Sequence, residues 1–335
     1  MKGGLMNKTN QRKKNERKRH TGTRLAAGAL SAMLLATAFI TPIEAMANTD
    51  SSPQAVRYIE GRSTALSAEN ERAAKVNYNL PGIPSRNVSH YHLSTVRYNG
   101  RVLSYKSPLI NGINYLPLGY ISELIASAAV NVTASGTATV SAAGLYLSAT
   151  HGGFVTYAND RPLFSFSPTI YATNGEIYVP ASVIQRAFGL KIDVDGTIDL
   201  SGTYKPLKRA SEFYREDEVY WLSKIISAES SGESLLGQIA VGDVILNRVK
   251  SPSFPNTIYS VIFDKKYGVQ FSPTADGRIY ASPTYTATLA AKICLEGISL
   301  SDEAMYFLNP RAASSNWIVK NRYYVYTIGN HDFYE

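Results

Sequence analysis

The sequence predicts a protein of two mixed α+β parts: a small β-rich module over residues 95–205, then a helix-led α+β domain over 217–335. Three observations carry that expectation. From about residue 96, short runs of β-branched and aromatic residues are separated by Gly and Asn, the texture of short strands and tight turns. Within that stretch one pattern occurs twice, as INGINYLPLGYISELIA (110–126) and TNGEIYVPASVIQRAFG (173–189). Beyond residue 217 the apolar spacing changes to that of helices, with Leu222, Ile225 and Ile226 on one face.

In chain order, the first segment reads as an export signal. A basic region runs to Arg24, an apolar stretch follows, and Ala45-Met46-Ala47 supplies a small-residue cleavage site, so 1–47 is assigned as a signal peptide. Left uncleaved, Leu25 to Ile43 would span about 28 Å as a helix and could act as a membrane anchor. Residues 48–94 are polar and irregular, a linker, with LPGIPSRN at 80–87 as a clear loop. In each copy of the doubled pattern, Asn-Gly (Asn111 and Asn174) suits a turn with positive φ. The following Pro can begin a helix whose first N–H has no partner in any case. KIDVDGTIDL then alternates as a hairpin turning at Asp195-Gly196. Residues 206–216 form a short basic connector.

The last domain opens with a helix through 217–229. After Ser230-Ser231-Gly232 comes a second helix in ESLLGQIAVGDVILNRV, apolar on nearly every side and therefore buried. SPSFPNT forces a loop. The alternation of RYYVYTI (322–328) marks a strand with half of its tyrosines facing a core.

Charge narrows the function. The chain carries +8, but residues 1–47 alone hold nine Lys/Arg against two Asp/Glu, leaving only +1 for the remainder. The basic balance belongs to the leader, and nucleic-acid binding loses its support. A single cysteine, Cys294, allows no intrachain disulfide. It falls late in the helical run TATLAAKICLEG, where the helix dipole disfavours a thiolate, and reads as a core residue. His90, His92 and His151 are too scattered for a metal site, and 206–335 contain one histidine, His331, too few for a zinc amidase. No metal and no cofactor are expected.

Glu229 stands out because it continues the apolar stripe of Leu222, Ile225 and Ile226. A carboxyl held among Ile and Leu is penalised when ionised, so its pKa rises and it can donate a proton near neutral pH. A glycosidic oxygen needs such a donor to leave. The plainer alternative is a Glu reaching water or an Arg at the helix end.

ISAESSGESLLGQIAVGDVILNRVKSPSFPNTIYSVIF resembles the core signature of the SleB/CwlJ type of cell-wall hydrolase, the spore cortex-lytic family. VQFSPTADGRI, AMYFLNPRAASSNWI and IGNHDFYE agree with it in order, covering nearly all of 218–335. The resemblance implies a lysozyme-like fold and cleavage of peptidoglycan glycan strands, at least in part as a lytic transglycosylase. It places Glu229 at the catalytic glutamate. Glu233, Gln270, Phe271, Tyr306, Asn309, Trp317 and His331 match recurring positions in the substrate cleft. Ser230-Ser231 departs from the usual Ala-Arg, and no peptidoglycan-binding repeat precedes the domain, which bears on the spore-cortex assignment more than on the chemistry. Residues 95–205 resemble the copper amine oxidase N-terminal-like domain of exported bacterial proteins. For that module the resemblance implies neither copper nor catalysis, but a contact with cell wall or protein.

The expected partner is peptidoglycan, and the expected location is secreted, in the cell wall, with the spore cortex or a membrane anchor as alternatives. An amidase acting on the peptide stems and a non-catalytic wall-binding protein are the competing functions. Glu233 could be a second carboxylate for hydrolysis or a favourable charge at the next helix N-terminus.

Overall fold

The computed structural model describes Arg72 and residues 91–172, 175–313 and 315–335. The assigned signal peptide, most of the linker and Asn174 lie outside the described residues. No helix among those described is long and apolar enough to cross a membrane.

The β-rich module begins at His92, slightly ahead of the expected boundary at 95. Its strands are β1 (His92–Tyr98), β2 (Arg101–Ile110), β3 (Ile113–Pro117), β4 (Ala129–Val132), β5 (Thr137–Ala142), β6 (Leu145–Thr150), β7 (Val155–Ala158), β8 (Arg161–Phe164), β9 (Ile170–Tyr171), β10 (Ile177–Pro180), β11 (Lys191–Val194) and β12 (Thr197–Ser201). Two helices, α1 (Leu118–Ala126) and α2 (Ala181–Phe188), follow β3 and β10. The strands form a seven-stranded sheet ordered β11-β12-β1-β2-β3-β10-β9 and a five-stranded sheet ordered β4-β5-β6-β7-β8. All pairings are antiparallel except β1 with β12.

Local chemistry explains the turns. Asn111 and Gly112 have φ of 50° and 79°, and Ile110 pairs with Ile113 across them. Two successive positive φ values match the right-handed strand twist of a two-residue hairpin. Pro117 and Pro180 do not begin their helices. Each is the extended residue just before the helix and ends its strand. The ring's fixed φ suits extended backbone as well as a first helical turn, so either place was open to it. The two similar stretches pair with each other, Leu116 opposite Val179, with Pro117 facing Tyr178 and Pro180 facing Tyr115. One buried cluster joins Val96, Leu116, Ile121, Val140, Leu147, Val179 and Phe188 across both sheets and both helices.

The connector carries a short helix, α3 (Ala210–Phe213). The second domain follows as α4 (Glu216–Ser230), α5 (Leu235–Lys250), α6 (Ile258–Ile262), α7 (Pro273–Asp276), a 3₁₀ turn at Arg278–Tyr280, α8 (Tyr285–Leu295), β13 (Tyr306–Leu308), α9 (Trp317–Asn321), β14 (Tyr324–Ile328) and β15 (His331–Tyr334). Strands β13, β15 and β14 form a small antiparallel sheet in that order. Helix α4 opens with Glu216, Asp217 and Glu218, charges that complement its N-terminal dipole. Helix α5 is capped by Ser234, whose Oγ accepts from Gly237 N at 3.3 Å, and α8 by Thr284 in the same way.

Helices α4, α5 and α8 enclose the core. Leu222, Ile225, Ile226, Ile239, Val241 and Ile245 are fully buried, each worth about 1.5–3 kcal/mol relative to exposure. Gly242 lets α5 approach closely, because a Cβ there would lie 2.7 Å from Cys294 Sγ and 3.0 Å from Ile226 Cδ1. Cys294 is itself buried, and burial pushes its thiol pKa up, as a core cysteine requires.

The two domains share an apolar interface. Tyr146, Phe154, Val155, Tyr157 and Phe164 of the module belong to the same buried cluster as the helices of the second domain. A buried charge cluster pins this contact. The Glu296 carboxylate, fully buried just beyond α8, accepts a two-pronged pair of bonds from Arg161 on β8, both 2.8 Å. It also accepts from Arg186 on α2 and from the Tyr214 hydroxyl in the connector. Phe213 covers the Arg161 guanidinium at 3.4 Å. The connector is therefore part of the joint between the domains.

Candidate active site

The end of α4, the 264–275 loop, β13 and the residues around α9 surround a cleft of about 1590 Å³. That exceeds the usual ~300–1,000 Å³ of a small-molecule pocket and suits an extended chain of sugars. All eight positions singled out in the sequence line it: Glu229, Glu233, Gln270, Phe271, Tyr306, Asn309, Trp317 and His331.

Glu229 sits in the last turn of α4, one turn beyond the buried Ile225 and Ile226. Burial raises its pKa from 4.5 to about 7; the charge of Arg278 opposes the rise and that of Asp276 adds to it. With that pKa about half of this carboxyl is protonated at neutral pH, the state a proton donor needs.

The segment bearing those two charges is fastened to α4. Arg278 Nε donates to Asp276 Oδ2 at 2.9 Å, and its Nη1 donates to the Ala228 carbonyl at 3.3 Å. Lys224 Nζ donates to the carbonyls of Tyr280 and Ala281, both at 2.9 Å. Arg278→Gln is expected to raise the Glu229 pKa further and move the alkaline limb of activity to higher pH. Because Arg278 is more than half exposed, that shift should shrink at high salt. A pH–rate profile at two ionic strengths checks this, and an unchanged limb would remove Arg278 from the tuning of Glu229.

Glu233 lines the cleft, but its carboxylate is committed elsewhere. Oε1 accepts from Asn330 Nδ2 at 2.9 Å and Oε2 from Asn330 N at 3.2 Å. Its side chain is only 10% exposed. Gly329 makes this approach possible: its φ is 58°, and a Cβ there would fall 1.9 Å from Glu233 Oε2. Glu233 thus braces the start of α5 against the β14–β15 turn, in place of the substrate-contacting role its position suggests.

Other positions also differ from simple contact roles. Phe271 is 3% exposed and packs in the core beneath Arg248, so it supports the wall and offers no open face to a sugar. Gln270 Nε2 donates to the Gly268 carbonyl of its own loop at 3.1 Å. Asn309 Oδ1 accepts from Arg311 N at 3.0 Å, fixing the turn after β13. His331 is buried, with Nδ1 3.7 Å from Glu233 Oε1. Burial lowers its pKa, and the neighbouring Glu233 opposes that. Trp317, half exposed, and Tyr267, 80% exposed, are open aromatic faces of the cleft, while Tyr306, its ring centroid 6.5 Å from that of Trp317, is half-buried.

Two further residues of the cleft, Arg248 and Arg322, are not among the site residues that the sequence singled out. Asn247 is structural, donating to the carbonyls of Ser301 and Ala304. Arg248 lines the cleft from within a buried helix. The signal was the same one that marked Glu229: a charge where the pattern asks for an apolar residue. Among the described residues, no group of three His, Cys, Asp or Glu is disposed to hold a metal ion.

Comparison with known proteins identifies two family domains in the chain. Residues 232–334 match the family model described as Cell Wall Hydrolase, and residues 97–199 match the Copper amine oxidase N-terminal domain. The spore cortex-lytic enzyme of Bacillus cereus (strain ATCC 14579) is 41% identical over 120 residues, 36% of this chain and 45% of that protein. The enzyme of the same description from Bacillus subtilis (strain 168) is 38% identical over 122 residues, 36% of this chain and 39% of that protein. The chain spans less than half the length of these curated relatives. A solved structure described as the catalytic domain of the germination-specific lytic transglycosylase SleB from Bacillus anthracis is 40% identical. It aligns over 36% of this chain and 97% of that one, with a TM-score of 0.33. Through residues 232–334 the chain belongs to the cell wall hydrolase family, with a copper amine oxidase N-terminal domain ahead of it.

Proposed function

We propose that the chain cleaves peptidoglycan glycan strands between N-acetylmuramic acid and N-acetylglucosamine as a lytic transglycosylase, with Glu229 as its general acid and base. The observation that carries this reading is one carboxyl raised to about pKa 7 at the wall of a cleft large enough for several sugars. Protonated Glu229 gives its proton to the glycosidic oxygen as the C1–O bond breaks. The muramic C6 hydroxyl then bonds to C1, closing a 1,6-anhydro ring, and its proton returns to the Glu229 carboxylate. No water is consumed, so no second carboxylate is needed to activate one. The tie between Glu233 and Asn330 favours this over a two-carboxylate hydrolysis.

The relatives named as spore cortex-lytic enzymes support action on spore cortex during germination, with a lysozyme-like fold for the second domain. Export by the 1–47 signal and a wall or protein contact through the first module complete the reading. Mass spectrometry of products released from spore cortex and from vegetative wall tests it. Anhydro-muramic ends are expected. Reducing muramic ends would replace transglycosylation with hydrolysis, and new free amines would replace glycan cleavage with stem cleavage.

A further inference from the structure

One wall of the cleft carries cationic groups that the glycan chemistry leaves unused. Arg248, on α5, is 4% exposed. Its Nε donates to the Met305 carbonyl at 2.8 Å, while Nη1 is buried and has no acceptor. Aromatic rings hem it in: its guanidinium carbon lies 4.9 Å from the Phe254 centroid, 5.1 Å from Phe271 and 5.2 Å from Tyr306. Arg322, just after α9, approaches the same Tyr306 ring at 4.4 Å and Trp317 at 5.2 Å. Its Nη2 donates to the Tyr306 hydroxyl at 2.8 Å, and its Nε is buried without an acceptor.

Two guanidinium groups on one ring repel each other, and a buried cation without a counter-ion costs stability. Ring faces recover part of that cost. Among the described residues neither arginine is in an ion pair; Asp264 acts on Arg248 only at longer range. This imbalance would be relieved by an anion arriving with the ligand, and guanidinium is the group best shaped to bind a carboxylate through paired N–H donors. A glycan whose muramic lactyl carboxyls are amide-bonded to stems offers none of its own. In peptidoglycan the carboxylates belong to the peptide stem attached to muramic acid.

We propose that Arg248, Arg322 and the Tyr306 ring they share form a subsite for a carboxylate of the peptide stem, so that the cleft reads the stem as well as the sugar. The proposal rests on the glycan-cleaving reading for its substrate class. Arg322, half-buried at the cleft, is the member open to substitution. Arg248 is the positioned charge behind it.

The test uses the full chain with Glu229→Gln, which removes turnover, and follows Trp317 fluorescence on addition of glycan fragments bearing stems. The same fragments, with their carboxylates converted to carboxamides, form the comparison. Amidation is expected to weaken binding about tenfold or more, the scale of a charge-assisted hydrogen bond. Adding Arg322→Gln should abolish that preference, and Arg322→Lys should restore part of it, with unchanged melting temperatures. Equal binding of the two fragment forms, no binding of either, or an equal loss on both in Arg322→Gln would overturn the subsite. Displacement by a glycerol-phosphate polymer as effective as the stem would also overturn the stem assignment, transferring the site to a wall-polymer phosphate. Wild-type turnover on the same fragments separates the two readings. Carboxylate preference without cleavage would sink the lytic activity alone, and cleavage without preference would sink the subsite alone.

Discussion

Glu229→Gln is expected to reduce release of soluble muropeptides from peptidoglycan by about 10²–10⁴-fold, the usual contribution of a positioned general acid and base. The amide cannot supply the proton that a carboxyl raised to about pKa 7 by burial holds ready. The same substitution should stabilise the fold at alkaline pH. The folded-state pKa of about 7 lies above the ordinary 4.5, so folding takes up a proton between those values. The contribution of Glu229 is therefore complete below about pH 4.5 and lost as pH rises through 7, a difference of about 3 kcal/mol. Melting of both proteins at pH 4 and pH 9 should show near-equal stability at the first and a more stable Gln variant at the second. Substantial residual activity would show that Glu229 is not the proton donor, and a Gln variant less stable at pH 9 would show that it is not desolvated.

Glu296→Gln should have the largest effect on stability. Glu296 is the shared acceptor for Arg161, Arg186 and Tyr214, and the Arg161 side chain is 6% exposed. Burial lowers the Arg186 pKa, with the Glu296 charge as the main force holding it protonated. Removing that charge leaves buried guanidinium groups uncompensated, which costs about 3–5 kcal/mol. Calorimetry should show a lower transition, with the module uncoupling from the second domain as a separate step. Replacing Glu296, Arg161 and Arg186 together by Met removes the charges with the partner and should recover most of the loss. A loss below about 1 kcal/mol in the single variant would mean that the apolar contact alone holds the joint.

Much of this was legible in the residues because the forces involved are local. Asn111-Gly112 specified a hairpin turn through φ, and the stripe of Leu222, Ile225 and Ile226 specified a buried helix face. Glu229 was legible for the same reason: a helix fixes which side chains share a face, so a carboxyl in that stripe is desolvated before any tertiary contact is known. The helix expected through 217–229 spans Glu216–Ser230.

Only the folded chain could decide what pairs across long sequence distances. Glu233 looked available to a substrate until its oxygens met Asn330, 97 residues further on. Arg161 and Glu296 lie 135 residues apart, and neither carries a local mark of its partner. Phe271 had the composition of a sugar platform, yet core packing turned it inward beneath Arg248. The sequence by itself determined the Asn111-Gly112 turn, the helix that carries Glu229 and the unusual acid on it, since those depend on neighbours one or two turns away. Which charges are answered, which aromatics stay open and how the module is fixed to the second domain were left to tertiary structure, because desolvation and ion pairing depend on groups that only folding brings together.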